Sequence, residues 1–413
     1  MGSQIFPREY QAAGWNAGLK ESDFDFGVIH SKRAAVAGAI FTRNNFPGNP
    51  VIVGREHSAR GRLQTIVVNS KISNVATGEA GLELARNTCR WASENLGTSP
   101  DLVLPSSTGV IGRLIPSEII QKACGEIKER LNSGSFEDFS RAIMTTDRGP
   151  KIKSMELKSG IRLLGVCKGA GMIQPNMATM LSYSVSDAEI STDDLRRLLK
   201  CVADRTFNRV SIDSDTSTSD TFCALANGAS GVKISFSENA ARAYESLNDP
   251  FEAGALERIA DLDDASREYV RGFQEISKHL TKMIAADGEG ATRLIELKVT
   301  EARDRDQALK IARSVINSPL VKTAVYGADP NWGRFIMAVG KVFDEPVPAE
   351  KLRIFFGEKM LTAAPEDLKL LSDYLKNPEV FIRISLGMGS AQETVWGCDL
   401  NEEYVRINSY YTT

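Results

Sequence analysis

Histidine is the scarcest chemically useful residue in this 413-residue chain. Only His30, His57 and His279 occur. Histidine is the usual general base near neutral pH, so an enzyme built from this sequence has reason to take its base from elsewhere. His279 lies in a charged, helical stretch and reads as a surface residue. His57, in Arg55-Glu56-His57-Ser58, reads as part of an exposed loop. Paired cysteines are missing too. Cys89, Cys124, Cys167, Cys201, Cys223 and Cys398 are spread widely with no C-x-x-C, which points to buried thiols rather than a zinc knuckle or a disulfide framework. No apolar run approaches the roughly 18 residues that a membrane-crossing helix needs. The first thirty residues carry Arg8, Glu9, Lys20, Glu21, Asp23 and Asp25 and no basic start followed by an apolar stretch. The expectation is a cytoplasmic protein without a secretory signal or a membrane partner. Charge of one sign is also lacking: 50 Lys and Arg against 53 Asp and Glu give a net charge of -3. With no basic stripe, nucleic acid is not an expected partner.

What is present is ordinary for a globular enzyme: 42% hydrophobic and 25% charged residues. The length exceeds what one hydrophobic core usually fills, so two or more core units are expected. Apolar, β-branched runs predict strands at Val36–Phe41, Leu63–Asn69 and Leu102–Pro105. A helical period opens at Thr77 or Gly78, and a second helix begins near Pro116-Ser117-Glu118, where proline suits the first turn. A third runs from Phe136 to Met144. Two strands, Ile161–Cys167 and Met180–Ser186, flank a glycine-rich segment, and Ser191-Thr192-Asp193-Asp194 caps the helix that follows. Residues 250–286 read as one long charged helix. Residues 293–413 read strand, helix, strand, strand, helix, strand, strand. Helices and strands mix without strict alternation, which predicts an α+β layered helix/sheet sandwich rather than a doubly wound parallel sheet. The boundary is placed between a catalytic region, 1–287, expected to process itself, and a smaller C-terminal α/β unit, 288–413, expected to complete the substrate site.

The segment with chemical promise is Lys168-Gly169-Ala170-Gly171-Met172-Ile173-Gln174-Pro175-Asn176-Met177-Ala178-Thr179. Its glycines have neither the P-loop nor the dinucleotide spacing, and alone they describe a turn between strands. The threonine entering an apolar run is more informative. A threonine hydroxyl is a poor nucleophile until a base removes its proton. In a chain poor in histidine, one such base is the threonine's own α-amine, which titrates near pKa 7.7–8.0 in model compounds. That amine exists only after the Ala178–Thr179 peptide bond is cut. Asp213, Asp215 and Asp220 lack the ligand run and closing glutamate of a calcium loop, so a capped, hydroxyl-rich turn is expected there and no metal.

These segments together resemble the ornithine acetyltransferases, the bifunctional glutamate N-acetyltransferases of arginine biosynthesis. The resemblance is carried by the 168–181 segment and by five further stretches. These are Ser106-Ser107-Thr108-Gly109-Val110-Ile111-Gly112, Met144-Thr145-Thr146-Asp147, Asp215-Thr216-Ser217-Thr218-Ser219-Asp220-Thr221, Asp287-Gly288-Glu289-Gly290-Ala291-Thr292 and Asp329-Pro330-Asn331-Trp332-Gly333-Arg334. The chain end from Arg406-Ile407-Asn408 to Thr412-Thr413 joins them. The resemblance implies a fold of the N-terminal-nucleophile-like type and self-cleavage between Ala178 and Thr179, with Thr179 as nucleophile. It implies Thr108 and Gly109 as the oxyanion hole, and Thr146, Lys168, Thr179, Glu289, Asn408 and Thr413 as substrate-binding residues. Lys168 suits a carboxylate and Glu289 an ammonium such as that of ornithine. It further implies a heterotetramer of two copies of each cleaved chain. No cofactor is expected, although acetyl-CoA is an open alternative as donor.

Two stretches depart from the family pattern. Where the family usually reads Asn-Ser-Gly-Asn-Ala-Asn, this chain reads Asn69-Ser70-Lys71-Ile72-Ser73-Asn74, and the usual glycine before the Asp-Thr-Ser-Thr run is Ser214. If the first loop lines the site, Lys71 adds charge and bulk there and the donor or acceptor differs. The alternatives are an N-terminal-nucleophile aminopeptidase or amidohydrolase that passes the acyl group to water, an acyltransferase with another amino-acid-like donor or acceptor, and a non-catalytic binding relative.

Overall fold

The computed structural model describes residues 5–174, 180–361 and 364–410. The chain opens with β1 (Tyr10–Trp15) and the long β2 (Phe26–Phe41), then α1 (Asn49–Ser58), β3 (Arg62–Asn69), α2 (Gly78–Leu96), β4 (Val103–Ser107), α3 (Ser117–Arg130) and α4 (Phe136–Ala142). It continues through β5 (Lys151–Glu156), β6 (Arg162–Lys168), β7 (Leu181–Ser186), β8 (Glu189–Ile190), α5 (Thr192–Arg205), β9 (Val210–Ser211) and β10 (Thr221–Ala226). β11 (Lys233–Ile234), α6 (Glu238–Ser246) and α7 (Asp264–Ala286) close this region. Its main sheet has the order β4-β3-β2-β10-β7-β6-β5, with β1 hydrogen-bonded to β2. β7 pairs with β6 antiparallel, Lys168 opposite Leu181, and with β10 in parallel.

Alternation along the strands decides the layers. In β10, Cys223 and Leu225 face a core with Phe139 and Ile143 of the α4 region. Phe222 and Ala224 face the opposite core, with Leu199 of α5 and Ile276 and Leu280 of α7. Period-2 strands between helices on both faces give the layered sandwich. Close helix approach depends on Gly165 of β6, where a Cβ would lie 2.6 Å from the Ile276 side chain. The six cysteines are unpaired and mostly buried. Among the described residues no helix is long and apolar enough to cross a membrane.

The second sheet is assembled from β12 (Leu294–Ala302), β13 (Arg353–Phe356), β14 (Lys359–Met360), β15 (Glu379–Ser385) and β16 (Ala391–Cys398). Its order is β14-β13-β15-β12-β16-β9. It packs on α8 (Arg305–Ile316), α9 (Pro319–Tyr326), α10 (Gly333–Gly340) and α11 (Pro365–Tyr374) through a core of its own, and α12 (Glu402–Ser409) follows it. Its edge strand β9 comes from before residue 287, and Arg209 beside β9 forms a buried ion pair with Glu393 of β16, 3.0 Å apart. Trp396 and Cys398 of β16 also enter the core beneath α7.

The strands and helices flanking the glycine-rich segment lie where the sequence pattern predicts them. Elsewhere the structure differs from the pattern: β1, α1 and α6 are elements the sequence does not signal. Nor is β5 signalled, since Lys-Ile-Lys-Ser-Met-Glu alternates only weakly. The helix expected over 250–286 begins only at Asp264, because Pro250 and Gly254 interrupt the period and Asp263 supplies the cap, accepting from Ser266 N. α9, α10 and α12 add helices to a region read mainly as strands, and two of them carry short apolar runs of the kind that fits either state.

β5 brings a buried cation into the sheet. Lys151 is 2% exposed, and its Nζ donates to Asp147 Oδ1 and Asp287 Oδ2, both at 2.5 Å. Burial opposes ionisation of Asp147, but Lys151 and Lys168 overcome it and hold the carboxyl down to about 2. Replacing Lys151 with Met leaves the buried Asp147 carboxylate without its ion-pair partner, while Asp287 keeps Arg148. We expect a loss of about 3–5 kcal/mol in denaturant unfolding, against less than about 1 kcal/mol for Arg60→Ala in the exposed pair with Asp101. A depressed Asp147 stabilises the fold fully above its ordinary titration range and loses that contribution as pH falls towards about 2. The deficit of Asp147→Asn should therefore shrink on acidification from pH 5, a trend that pH-dependent melts will show.

Candidate active site

The glycine-rich segment leaves β6 at Lys168 and is held residue by residue. Gly169 N donates to Asp147 Oδ1 at 2.7 Å, and Ala170 O accepts from Glu289 N at 2.8 Å. Met172 N and Ile173 N donate to the two oxygens of Asp213 at 2.6 and 2.8 Å. Gln174 N donates to Asp215 O at 2.9 Å. On the far side of the expected cut, Met180 O accepts from Thr221 N at 2.9 Å, the step into the parallel pairing of β7 with β10. Ala178 and Thr179, like Thr413 at the chain end, lie outside the described residues.

The remaining six residues singled out in the sequence line one cavity: Thr108, Gly109, Thr146, Lys168, Glu289 and Asn408. Thr108 and Gly109 follow β4. Thr108 N donates to Asn69 O at 3.0 Å. Gly109 has φ +128°, and a Cβ there would lie 2.2 Å from the Lys71 carbonyl, so the turn requires glycine. Glu289 is 8% exposed. Its Oε1 accepts from Thr146 Oγ1 and its Oε2 from Asn408 Nδ2, both at 2.7 Å. The glycines around it are used. A Cβ on Gly290 would meet Tyr404 N at 2.7 Å, so the loop accepts α12, whose cap residue Asn401 donates to Gly290 O. Lys168, half-buried, donates from Nζ to Thr145 Oγ1 at 2.9 Å. Burial lowers its pKa, and the neighbouring Asp147 partly restores it. One cation and one anion thus face a cavity walled by hydroxyls together with the apolar Ile111 and Met172, a pattern that suits a small molecule bearing both charges.

Four hydroxyl-bearing wall residues have no role assigned from the sequence: Thr145, Ser217, Thr218 and Ser219. Serines and threonines carry no spacing signal of their own. Of the two residues altered in the 69–74 loop, Ser73 lines the cavity and donates to Val110 O at 3.0 Å. The Lys71 side chain is exposed and is not among the residues lining it. Lys71 has φ +82° and Ser214 φ +67°, so both non-glycine residues occupy backbone that favours glycine.

None of the histidines lines the cavity. His30 is buried, its pKa pushed down to about 4 by burial. His57 belongs to α1, not to a loop, and its ring Nδ1 meets Val103 O at 2.8 Å. His279 is exposed on α7. The three aspartates of the hydroxyl-rich turn do not converge: Asp213 binds backbone N–H groups of the glycine-rich segment, while Asp220 is 1% exposed and burial raises its carboxyl well above the usual range. Among the described residues no group of three or more His, Cys, Asp or Glu side chains has metal-holding geometry.

Sequence comparison gives this cavity its class. The chain is 40% identical over 414 residues to the arginine biosynthesis bifunctional protein ArgJ 2 of Clostridium acetobutylicum, covering 99% of this chain and 98% of that protein. It is 40% identical over 398 residues to the glutamate N-acetyltransferase Oat2 of Streptomyces clavuligerus, covering 94% and 93%. A solved ornithine acetyltransferase of Mycobacterium tuberculosis, in complex with ornithine, is 30% identical with a TM-score of 0.40, over 43% of this chain and 98% of that one. The protein is an acyltransferase. It belongs to the ArgJ family, whose model matches residues 11–413.

Gly171 offers a test of the cavity. A Cβ there would sit 2.5 Å from the Glu289 carboxylate, which Thr146 and Asn408 clamp in place. Gly171→Ala should displace Glu289 while leaving the fold intact. We expect at least a tenfold rise in KM for an ammonium-bearing substrate at near-normal melting temperature; an unchanged KM would mean that Glu289 does not contact substrate.

Proposed function

We propose that this protein cuts itself between Ala178 and Thr179 and then moves the acetyl group of N-acetylornithine to glutamate through an ester on Thr179. The observation that carries this reading is the convergence of Thr108, Gly109, Thr146, Lys168, Glu289 and Asn408 on one cavity beside the glycine-rich segment. The relatives' names supply the reaction class, and the absence of histidine from the cavity lining favours an α-amine as base.

In self-cleavage the Thr179 hydroxyl attacks the Ala178 carbonyl. The C–N bond breaks, the nitrogen takes up the proton lost by the hydroxyl and becomes the new α-amine, and water hydrolyses the ester, leaving an Ala178 carboxylate and restoring the Thr179 hydroxyl. In transfer, the α-amine takes the proton of Thr179 Oγ as that oxygen attacks the acetyl carbonyl. The carbonyl oxygen gathers negative charge, which the Thr108 hydroxyl and the Gly109 N–H stabilise. The amide C–N bond breaks and the protonated amine of ornithine leaves. The glutamate amine then attacks the acetyl ester, loses its proton to the α-amine and frees Thr179. Lys168 holds the substrate α-carboxylate, and Glu289 the side-chain ammonium of ornithine. The residues supply nucleophile, base, oxyanion donors and binding groups, so the scheme uses neither metal nor organic cofactor. Acetyl-CoA is tested as a second donor in the same assay.

The cut pieces, residues 1–178 and 179–413, should run at roughly 19 and 26 kDa, scaled from 45.1 kDa. They should stay associated, because β6 and β7 belong to different pieces yet are neighbours in one sheet. Native mass is expected to correspond to two copies of each, and N-terminal sequencing of the larger piece should begin Thr-Met-Leu-Ser-Tyr. Thr179→Ala should abolish cleavage and transfer together; substantial turnover by purified Thr179→Ala would overturn the mechanism. Thr108→Val should slow acylation on the order of 10²–10³-fold with little change in binding. A change confined to KM would assign Thr108 to ground-state binding instead.

A further inference from the structure

The segment before the proposed cut is gripped by one short strip of chain. Met172 N and Ile173 N reach the Asp213 carboxylate, Ile212 N donates to Ile173 O at 2.7 Å, and Ile173 forms an isolated antiparallel bridge with Thr216. Gln174 is the last described residue before the cut. Its N donates to Asp215 O at 2.9 Å, and its O accepts from Thr216 Oγ1 at 3.1 Å. All these partners lie between residues 212 and 216.

That strip is the continuation of β9, and β9 is a strand of the second sheet. It pairs with β16, Val210 opposite Trp396 and Ser211 opposite Gly397. The fit is close: a Cβ on Gly397 would lie 2.7 Å from Ser211 O and 2.7 Å from the Ile316 side chain at the end of α8. The next residue, Asn317, joins the two sides. Its Oδ1 accepts from Ser211 Oγ at 2.6 Å, and its Nδ2 donates to Gln174 Oε1 at 2.7 Å. Its main chain is fixed as the cap of α8, where its N donates to Arg313 O at 3.1 Å. An amide engaged at both ends on a helix terminus has little freedom to adjust, so the position of α8 is passed to the Gln174 side chain. In self-cleavage the nucleophile and the carbonyl belong to one chain, and the rate depends on how that chain is held.

We propose that Asn317 is a positioning residue for the self-cleavage. It passes the docking of the C-terminal unit on to the segment before the cut, so that the cut runs at full rate only with that unit in place. The role rests on the self-cleavage reading above. It gives the events an order in which the unit made last docks first and the chain is cut afterwards.

The test follows pulse-labelled full-length chain on denaturing gels as the 45.1 kDa band gives way to two pieces. A wild-type chain that stays intact removes the self-cleavage reading and this role with it. Given cutting, Asn317→Ala should slow it roughly tenfold, the factor expected when a hydrogen bond that orients the reacting chain is lost. Gln174→Leu removes the acceptor and should slow cutting as much. The double variant should be no slower than either, because both lose the same contact. Gln174→Glu keeps an acceptor for Asn317 Nδ2 and should cut at close to the wild-type rate. Once cut, Asn317→Ala should transfer acetyl groups with kcat/KM within twofold of wild type. Added to Thr179→Ala, which leaves both chains uncut, it should not change the melting temperature. A cutting rate within twofold of wild type overturns the role, as do additive effects in the double variant or slow cutting by Gln174→Glu. A transfer defect as large as the cutting defect overturns it too, by assigning Asn317 to the shape of the cavity. So does a melting temperature lowered by several degrees, which would make the contact a prop of the fold.

Discussion

Most of the site hangs from one buried carboxylate. Asp147 accepts from Lys151 Nζ, Gly169 N and Thr145 N. Those three bonds join β5, the start of the glycine-rich segment and the turn that carries Thr145 and Thr146. The turn in turn holds both charged groups of the cavity: Thr145 receives Lys168, and Thr146 donates to Glu289. Lys151 completes the arrangement by reaching Asp287, two residues before Glu289. An isolated buried carboxylate is costly. Here Lys151 and the backbone donors offset that cost, and the same contacts fix the spacing of Lys168 and Glu289 across the cavity.

A second constraint is close backbone approach. Gly109, Gly171 and Gly290 sit where a Cβ would run into a carbonyl, the Glu289 carboxylate or the start of α12. The walls of the cavity are therefore packed main chain to main chain, which leaves little room for adjustment by side-chain rotation. Lys71 and Ser214 show the opposite case. They adopt left-handed backbone without being glycine, a conformation that costs of order 1 kcal/mol for an ordinary residue. Their side chains are exposed, so the cost is conformational and the cavity keeps its shape.

Much of this was legible in the sequence, for identifiable reasons. β3, β6 and β7 carry apolar runs bounded by turn residues, and α5 follows a Ser-Thr-Asp-Asp cap; such local signals survive folding. β5 was hidden because its pairing with β6 and its buried Lys151 depend on Asp147 and Asp287, partners that no local pattern announces. The reach of one helix over 250–286 was overestimated because charge period alone does not register the breaks at Pro250 and Gly254. In the site, the charged and glycine positions stood out through motif resemblance. The serines and threonines of the wall did not, because they carry no spacing signal of their own. The 69–74 loop shows the same limit: its sequence change drew the eye to Lys71, while the geometry puts the neighbouring Ser73 against the cavity.

The scarcity of histidine bears on the whole arrangement. A site that used an imidazole base would have to hold it near neutral pKa beside Lys168 and Glu289, two charges that pull its titration in opposite directions. The cores around His30 show what burial does to an imidazole here, lowering it to about 4, too weak a base for acyl transfer near pH 7. An α-amine on the nucleophile itself avoids that problem. Its position is set by the covalent bond to the residue it activates, so it needs no third group to orient it. It does require a chain break in the middle of a sheet, and the pairing of β7 with β6 on one side and β10 on the other provides the support for one. Those two strands flank Leu181–Ser186 on both sides, so the proposed cut would leave that strand paired, and the same sheet brings Lys168 to the cavity.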